Sequence, residues 1–327
     1  MNGGTRRGVL AGLSAAGGSL ALGARAQAPW PSRPIRVVSA GQAGSLSDIF
    51  VRLIENRLRE RLGQPIVIEN IVGAGGMNGA GVVARAGGDG YTYFVSTSAT
   101  NGIGVSLYKK PSFDPKTDLP PVALMTTMPN ALAVKGDSEF KTLADVVAYI
   151  RRNPDRATYG SAGAGTSSHM AGVLFGQKIG APLVHVPYRG TGPNVLGVLR
   201  GEILFSINNV PLFMPSVQEK TVRFLAVASK ARLADAPDVP TFAEAGIPDF
   251  EVSSWYGLSA STGTPQAIID RMAKEITEAV ADPAIAPRFR QIGAEPTPLG
   301  PAAYRDFIDS EVKLWAPIVA SSGATAD

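Results

Sequence analysis

The stretch Thr158-Tyr-Gly-Ser-Ala-Gly-Ala-Gly-Thr-Ser-Ser-His169 carries the densest chemistry in the chain. A short β-prone lead, Ala157 to Tyr159, runs into Gly160, Gly163 and Gly165. Glycine permits backbone conformations that other residues find costly. Thr166, Ser167 and Ser168 are residues that cap helices, and Met170 to Lys178 has the spacing of an amphipathic helix. Such a loop aims free backbone N–H groups and hydroxyls at one spot before a helix N-terminus, which suits an anion. The same residues also suit a plain strand-to-helix turn with a cap, a common feature of α/β folds. Taken alone, the stretch leaves both readings open.

Other chemistries find little support. The chain has no cysteine, which excludes disulfides, a thiol nucleophile and thiolate metal sites. Its two histidines, His169 and His185, do not make a metal cluster. His169 is expected buried and hydrogen-bonded at the helix start, and His185 structural within a strand. No Gly-x-Ser-x-Gly pentapeptide is present for a serine hydrolase. Gly73-x-Gly75-x-x-x-Gly79 has the wrong second spacing for a dinucleotide loop. No enzyme and no cofactor are therefore expected. Asp48, at a helix start, reads as a structural cap or as a ligand contact. Arg189 reads as an exposed loop arginine or as a carboxylate partner. Trp255 and Tyr256 read as cleft lining or as packing between lobes.

Charge and length set outer limits. The 327 residues can form two domains of ordinary size, and 45% hydrophobic content can supply a core. The formal charge of +4 comes partly from Arg6, Arg7 and Arg25. Without these three, 28 basic residues face 27 acidic ones, so nothing points to a nucleic-acid surface. Residues 1–28 have a basic start at Thr5-Arg-Arg7, an apolar run from Gly8 to Ala24, and small residues at Ala24, Ala26 and Ala28. This is the pattern of a secretory signal, cleaved after about residue 26–28, by the Sec or the twin-arginine route. An uncleaved anchor is the alternative. No later stretch is long and apolar enough to span a bilayer, so the mature protein is expected to be exported, soluble and periplasmic.

Elements alternate from Pro34 onward. Ile35 to Val38 reads as a strand, Ile49 to Leu62 as a helix ended by Gly63, Pro65 to Glu69 as a strand, Met77 to Ala86 as a helix and Tyr91 to Ser96 as a strand. The grammar repeats with Ala131–Val134, Leu143–Asn153, the glycine-rich loop with its helix, Leu183–Val186, Asn194–Arg200, Ile203–Ile207 and Arg223–Ala228. Thr264-Pro265 starts a further helix, and Pro301 to about Ala320 a helix or helix pair. Two βα units of like grammar imply an α/β protein with two lobes, each a doubly wound, mainly parallel sheet. Val122–Thr127 and the segment around Trp255 read as strands passing between them. The expected bounds are 29–126 plus 255–327 for lobe 1 and 127–254 for lobe 2.

An ordered set of short motifs spans the mature chain. Pro31-x-x-Pro-Ile-Arg36 is followed by a loop ending Ser47-Asp48, Leu62-Gly-Gln-Pro-Ile-Val-Ile-Glu-Asn70, Gly73-Ala-Gly-Gly76 and Asp89-Gly-Tyr-Thr92. Later come Tyr159-Gly-Ser-Ala-Gly-x-Gly-Thr-Ser-Ser-His169, His185-Val-Pro-Tyr-Arg-Gly190, Val239-Pro-Thr-x-x-Glu-Ala-Gly246 and Gly263-Thr-Pro265. Together they resemble the extracytoplasmic solute-binding receptors of the tripartite tricarboxylate transporters, the Bordetella-uptake-gene family. The resemblance implies a two-lobed periplasmic binding protein, type II-like, that closes on a small organic acid. It implies membrane permease subunits as partners and a monomer. By position, one half of the implied site is Gly44, Ser45, Ser47 and Asp48. The other half is Ser161, Gly165, Thr166 and Ser167, with Ser98, Tyr188 and Asn209 near the cleft. Two departures stand out: the family's Pro-Phe is Ala40-Gly41 here, and its Gly-Gly-Ser-Thr-Asp is Gly44-Ser-Leu-Ser-Asp48. A receptor that senses the acid for a signalling partner is the competing implication.

Overall fold

A computed structural model describes residues 30–109, 112–233 and 235–324. The signal sequence expected at 1–28 lies outside the described residues. The first lobe begins with β1 (Ile35–Ser39), α1 (Leu46–Leu62), β2 (Ile66–Asn70), α2 (Met77–Ala84) and β3 (Thr92–Thr97). Helix α1 buries Phe50, Val51, Ile54, Leu58 and Leu62 on one face and stops at Gly63, whose φ of 70° is the left-handed stop that glycine accepts. A π-helical segment, Ser98–Ile103, and the short α3 (Gly104–Leu107) follow β3.

One long strand, β4 (Pro121–Lys135), then joins the lobes. The two strands expected at Val122–Thr127 and Ala131–Val134 are thus one. Its first part pairs with β9 (Ser253–Ala260). From Asn130 onward it pairs with β7 (Phe205–Asn209) and β8 (Val222–Val227). The second lobe comprises α4 (Leu143–Arg152), β5 (Thr158–Ser161), α5 (Ser167–Ile179), β6 (Val184–Pro187), α6 (Thr191–Arg200), β7, α7 (Val210–Gln218) and β8. The chain returns along β9 and ends with α8 (Gln266–Ala281), α9 (Ala286–Gln291), β10 (Glu295–Leu299) and α10 (Pro301–Ser322).

The two-lobed α/β architecture has a parallel trio in each lobe. These are β2-β1-β3 in the first and β6-β5-β7 in the second. The crossing strands β4 and β9, and β8 and β10 beside them, run antiparallel, so the sheets are less parallel than expected. Each lobe has its own apolar core, one around Phe50, Tyr93 and Phe289, the other around Phe175, Phe205 and Phe242. The second core also takes in Ile103, Leu107, Trp315, Ile318 and Val319. Helix α10 therefore starts against Leu124 and Trp255 and ends on the core of the second lobe.

Candidate functional site

A cavity of about 610 Å3 lies between the lobes. Four helices present their N-terminal ends to it. These are α1 at Ser45–Ser47, α5 at Thr166–Ser168, α6 at Gly190–Gly192 and α7 at Asn209. First-turn N–H groups have no intrahelical acceptor, and each helix end carries partial positive charge. Only the α5 start is capped by its own side chain, through Thr166. Ser45, Gly190 and Asn209 make no such bond. Among the described residues, the lining includes one charged residue, Arg189, which is exposed in the bend after β6, and no carboxylate. The site is electropositive mainly through backbone dipoles, which can hold an anion without a buried counter-charge.

Hydroxyls fix the two rims. On the first lobe Ser47 Oγ lies 2.9 Å from Ser39 Oγ and 3.0 Å from Ser45 Oγ. A Cβ at Gly41 would stand 2.2 Å from Ser45 Oγ and 2.7 Å from Ser45 Cβ, so only glycine admits this serine cluster. On the second lobe, Ser254 Oγ donates to Asn209 Oδ1 at 2.6 Å and lies 2.8 Å from Ser167 Oγ. Thr166 Oγ1 donates to the Gly163 carbonyl at 2.7 Å, and Ser168 Oγ accepts from Ala162 N–H.

Seven of the residues implied by resemblance line this cavity: Gly44, Ser45, Ser47, Ser98, Thr166, Ser167 and Asn209. Four do not, and each has a structural reason. Asp48 is buried, and its carboxylate accepts from Arg52, Gly44 N–H and Asn70, which holds it below the usual carboxylate range, the Arg52 bond contributing most. Ser161 is fully buried beneath the glycine-rich loop, with Oγ 2.6 Å from His185 Nε2. Gly165 directs its Cβ position at Leu107 Cδ2, 2.3 Å away. Tyr188 turns its ring against Gly160 and Gly197, with its hydroxyl donating to Glu202. Among the lining residues that the sequence reading missed are Asn208, Ser254 and the Gly190–Pro193 turn. The helix expected from Asn194 starts three residues earlier, at Thr191, because Pro193 falls in the first turn, where its missing N–H breaks no intrahelical bond.

The two histidines support the glycine-rich loop from below. Their rings stack with centroids 4.0 Å apart. His169 Nδ1 accepts from Gly165 N–H at 3.1 Å, so its neutral form carries the proton on Nε2. Burial lowers both rings to about 4, and for His185 the neighbouring His169 adds to this. Folding therefore keeps them neutral while the unfolded chain protonates near pH 6.5. The unfolded state binds more protons between these values, so stability is full above about pH 6.5 and falls as pH drops toward 4. His169 is buried and His185 half-buried, so with the second discounted for solvent contact the loss across that window is roughly 2–5 kcal/mol. Melting temperatures measured from pH 7.5 to 4.5 should fall, and fall less in His185→Asn. An equal slope in the variant would remove the pair as its cause.

A two-lobed α/β fold with an inter-lobe cavity ringed by helix N-termini is the architecture of a solute-binding receptor. The sequence pattern of the tripartite tricarboxylate transporter family receptors matches residues 50–324, and the chain belongs to that family, one of receptors rather than enzymes. It is 34% identical over 317 residues to the "UPF0065 protein in tcbD-tcbE intergenic region" of Pseudomonas sp. (strain P51), covering 96% of this chain and 94% of that protein. The structure of R. palustris Rpa4515 with adipate superposes with a TM-score of 0.84 at 30% identity, over 90% of this chain and 99% of that one. MatC (Rpa3494) from Rhodopseudomonas palustris with bound malate gives 0.80 at 31%, over 89% and 100%.

Proposed function

We propose that the protein is a periplasmic receptor that captures a small organic acid in the inter-lobe cavity and delivers it to the membrane permease subunits of a tripartite transporter. The observation that carries this reading is the lining itself: four helix N-termini and, among the described residues, no carboxylate. Adipate and malate, bound by two relatives, are acids of the kind such a lining favours. The protein works as a monomer exported by the signal at residues 1–28. No helix among the described residues is long and apolar enough to cross a membrane.

Lobe 1 (29–126 plus 255–327) and lobe 2 (127–254) close about the crossing strands, near Val122–Thr127 and Trp255–Ser259. A thermal-shift screen of organic acids identifies the ligand, because an acid that binds only the folded state raises the melting temperature by mass action. Calorimetry then gives its affinity, and small-angle scattering should show compaction at saturation. An unchanged radius would remove the hinge, and an unmoved melting temperature across mono-, di- and tricarboxylates would remove the acid.

A further inference from the structure

We infer that Asn130 is a positioning residue for the acid: its buried amide takes over a hydrogen bond to Asn209 when the acid draws the hydroxyl of Ser254 toward itself. This rests on the acid-binding reading above and adds to it a residue outside the cavity lining. Asn130 sits on β4 where that strand changes partners, and its side chain is fully buried. Neither Oδ1 nor Nδ2 has a hydrogen-bond partner among the described residues. A buried amide without partners bears its whole desolvation penalty, and native proteins keep few of them.

The register shows what this amide faces. Asn130 N–H donates to the Val252 carbonyl at 3.0 Å, and the Asn130 carbonyl accepts from Ala228 N–H at 2.8 Å, both on the side of β4 that carries β8 and β9. Toward β7 it therefore stands in a non-hydrogen-bonded pair with Asn209, the closer of the two pair types in an antiparallel ladder, with both side chains on one face. Ser254 is opposite Met128, two residues before Asn130, and so shares that face.

The bonds on this face point away from a ligand. Ser254 has one proton, which goes to Asn209 Oδ1 at 2.6 Å, so Ser167 is the donor across the 2.8 Å between the two hydroxyls. A carboxylate only accepts. It can take the Ser167 proton at once, because Ser254 keeps its own bond. Taking the Ser254 proton as well leaves the Asn209 oxygen short of a donor in a residue only 6% exposed. Asn130 Nδ2, across the same strand pair and committed to nothing, supplies that donor. The amide therefore weakens the unliganded protein and strengthens the acid-bound one.

Thermal melts and calorimetry on Asn130→Leu, close in volume and without polar side-chain atoms, test this with malate, adipate, citrate and benzoate as probes. Without acid the variant should melt at or above the wild-type temperature, because the unpartnered amide is gone. Its affinity for each probe that wild type binds should fall about tenfold. Asn130→Ser keeps a donor and leaves a void, so it should melt below Asn130→Leu and yet bind more tightly. A packing role does not produce that inverse order of stability and affinity. Added to Ser254→Ala, where no hydroxyl remains to be released, Asn130→Leu should cost less than about threefold more. Wild-type affinity in Asn130→Leu, or affinity that follows melting temperature across the two variants, overturns the role of Asn130 and leaves acid binding intact. So does an Asn130→Leu that fails to fold while Asn130→Ser folds, since the amide is then a structural partner. If none of the four probes binds wild type or raises its melting temperature, the acid-binding reading itself fails, and this inference with it.

Discussion

Gly165→Val is expected to weaken acid binding by more than about a hundredfold, close to 3 kcal/mol. Gly165 has φ of 76°, where a β-branched residue is a genuine outlier. The strain costs about 1–3 kcal/mol before any contact is counted. The first side-chain carbon would also stand 2.3 Å from Leu107 Cδ2, inside the core of the second lobe. Leu107 can turn away, but the backbone angle cannot be kept. The loop shifts, the Gly165 N–H leaves His169 Nδ1, and the Thr166–Ser168 rim of the cavity moves with it. The damage comes from beneath the ligand, because Gly165 does not line the cavity.

Thr166→Ala makes the contrast. Its hydroxyl is already committed to the Gly163 carbonyl and to the α5 cap. Its loss should cost about 1 kcal/mol of stability and about tenfold or less in affinity. Calorimetry on the folded fraction separates the two variants. Equal affinity for wild type and Gly165→Val would remove the loop and leave Gly44–Ser47 as the remaining rim.

That contrast shows where sequence reasoning reached and where it stopped. The glycine-rich loop before α5 was legible because its capping residues and glycines have local causes. The three-strand parallel trios were legible for the same reason: apolar runs, short loops and helix stops repeat. The unity of β4 was not. Pro129 interrupts its pattern, and proline inside a strand argues for a break. Here it sits opposite Ser253, at the point where the strand changes partners from β9 to β7 and β8. Strand β10 hides behind Pro296 and Pro298, tolerable where it pairs only with β4. The π-helical turn at Ser98–Ile103 offers no apolar period, and its start rests on a reciprocal bond pair between Thr97 and Thr100.

Within the site, proximity in sequence misled. Ser161 belongs to the glycine-rich stretch itself and Tyr188 follows β6, yet both turn inward. Strand alternation and the absence of side chains at Gly160 and Gly197 decide this, and neither is visible without knowing which face is covered. Ser254 was missed because its role depends on Ser167 and Asn209, which only the fold brings to it.

Trp255→Ala should produce the largest stability loss of any single substitution considered. The indole is fully buried on β9 opposite Thr127 of β4, and it meets Tyr304 and Phe307 edge-on, at 5.8 and 5.6 Å. Its Nε1–H donates to Glu311 Oε2 at 2.8 Å, and Trp315 donates to the same oxygen at 3.0 Å. Burial pushes the Glu311 carboxyl up, so its two indole donors are what it has in place of water. Removing a buried tryptophan costs about 3–5 kcal/mol, and an acceptor left short of a donor about 1–3 more, with the two partly overlapping. A loss of about 4–6 kcal/mol is a large part of the margin of an ordinary protein and should lower the melting temperature by more than about 10 °C. Trp255→Phe keeps most of the packing and deletes the donor, so it should fall between, nearer wild type. The effect should not stay local. Ser254 and Tyr256, on either side, line the cavity, and α10 carries Glu311 and Trp315 from the Trp255 contact to the core of the second lobe. Calorimetry should therefore show both lobes of Trp255→Ala melting together at the lower temperature. Two separated transitions, or a shift under about 3 °C, would mean that the crossing strands hold without this indole and that the lobes are tied elsewhere.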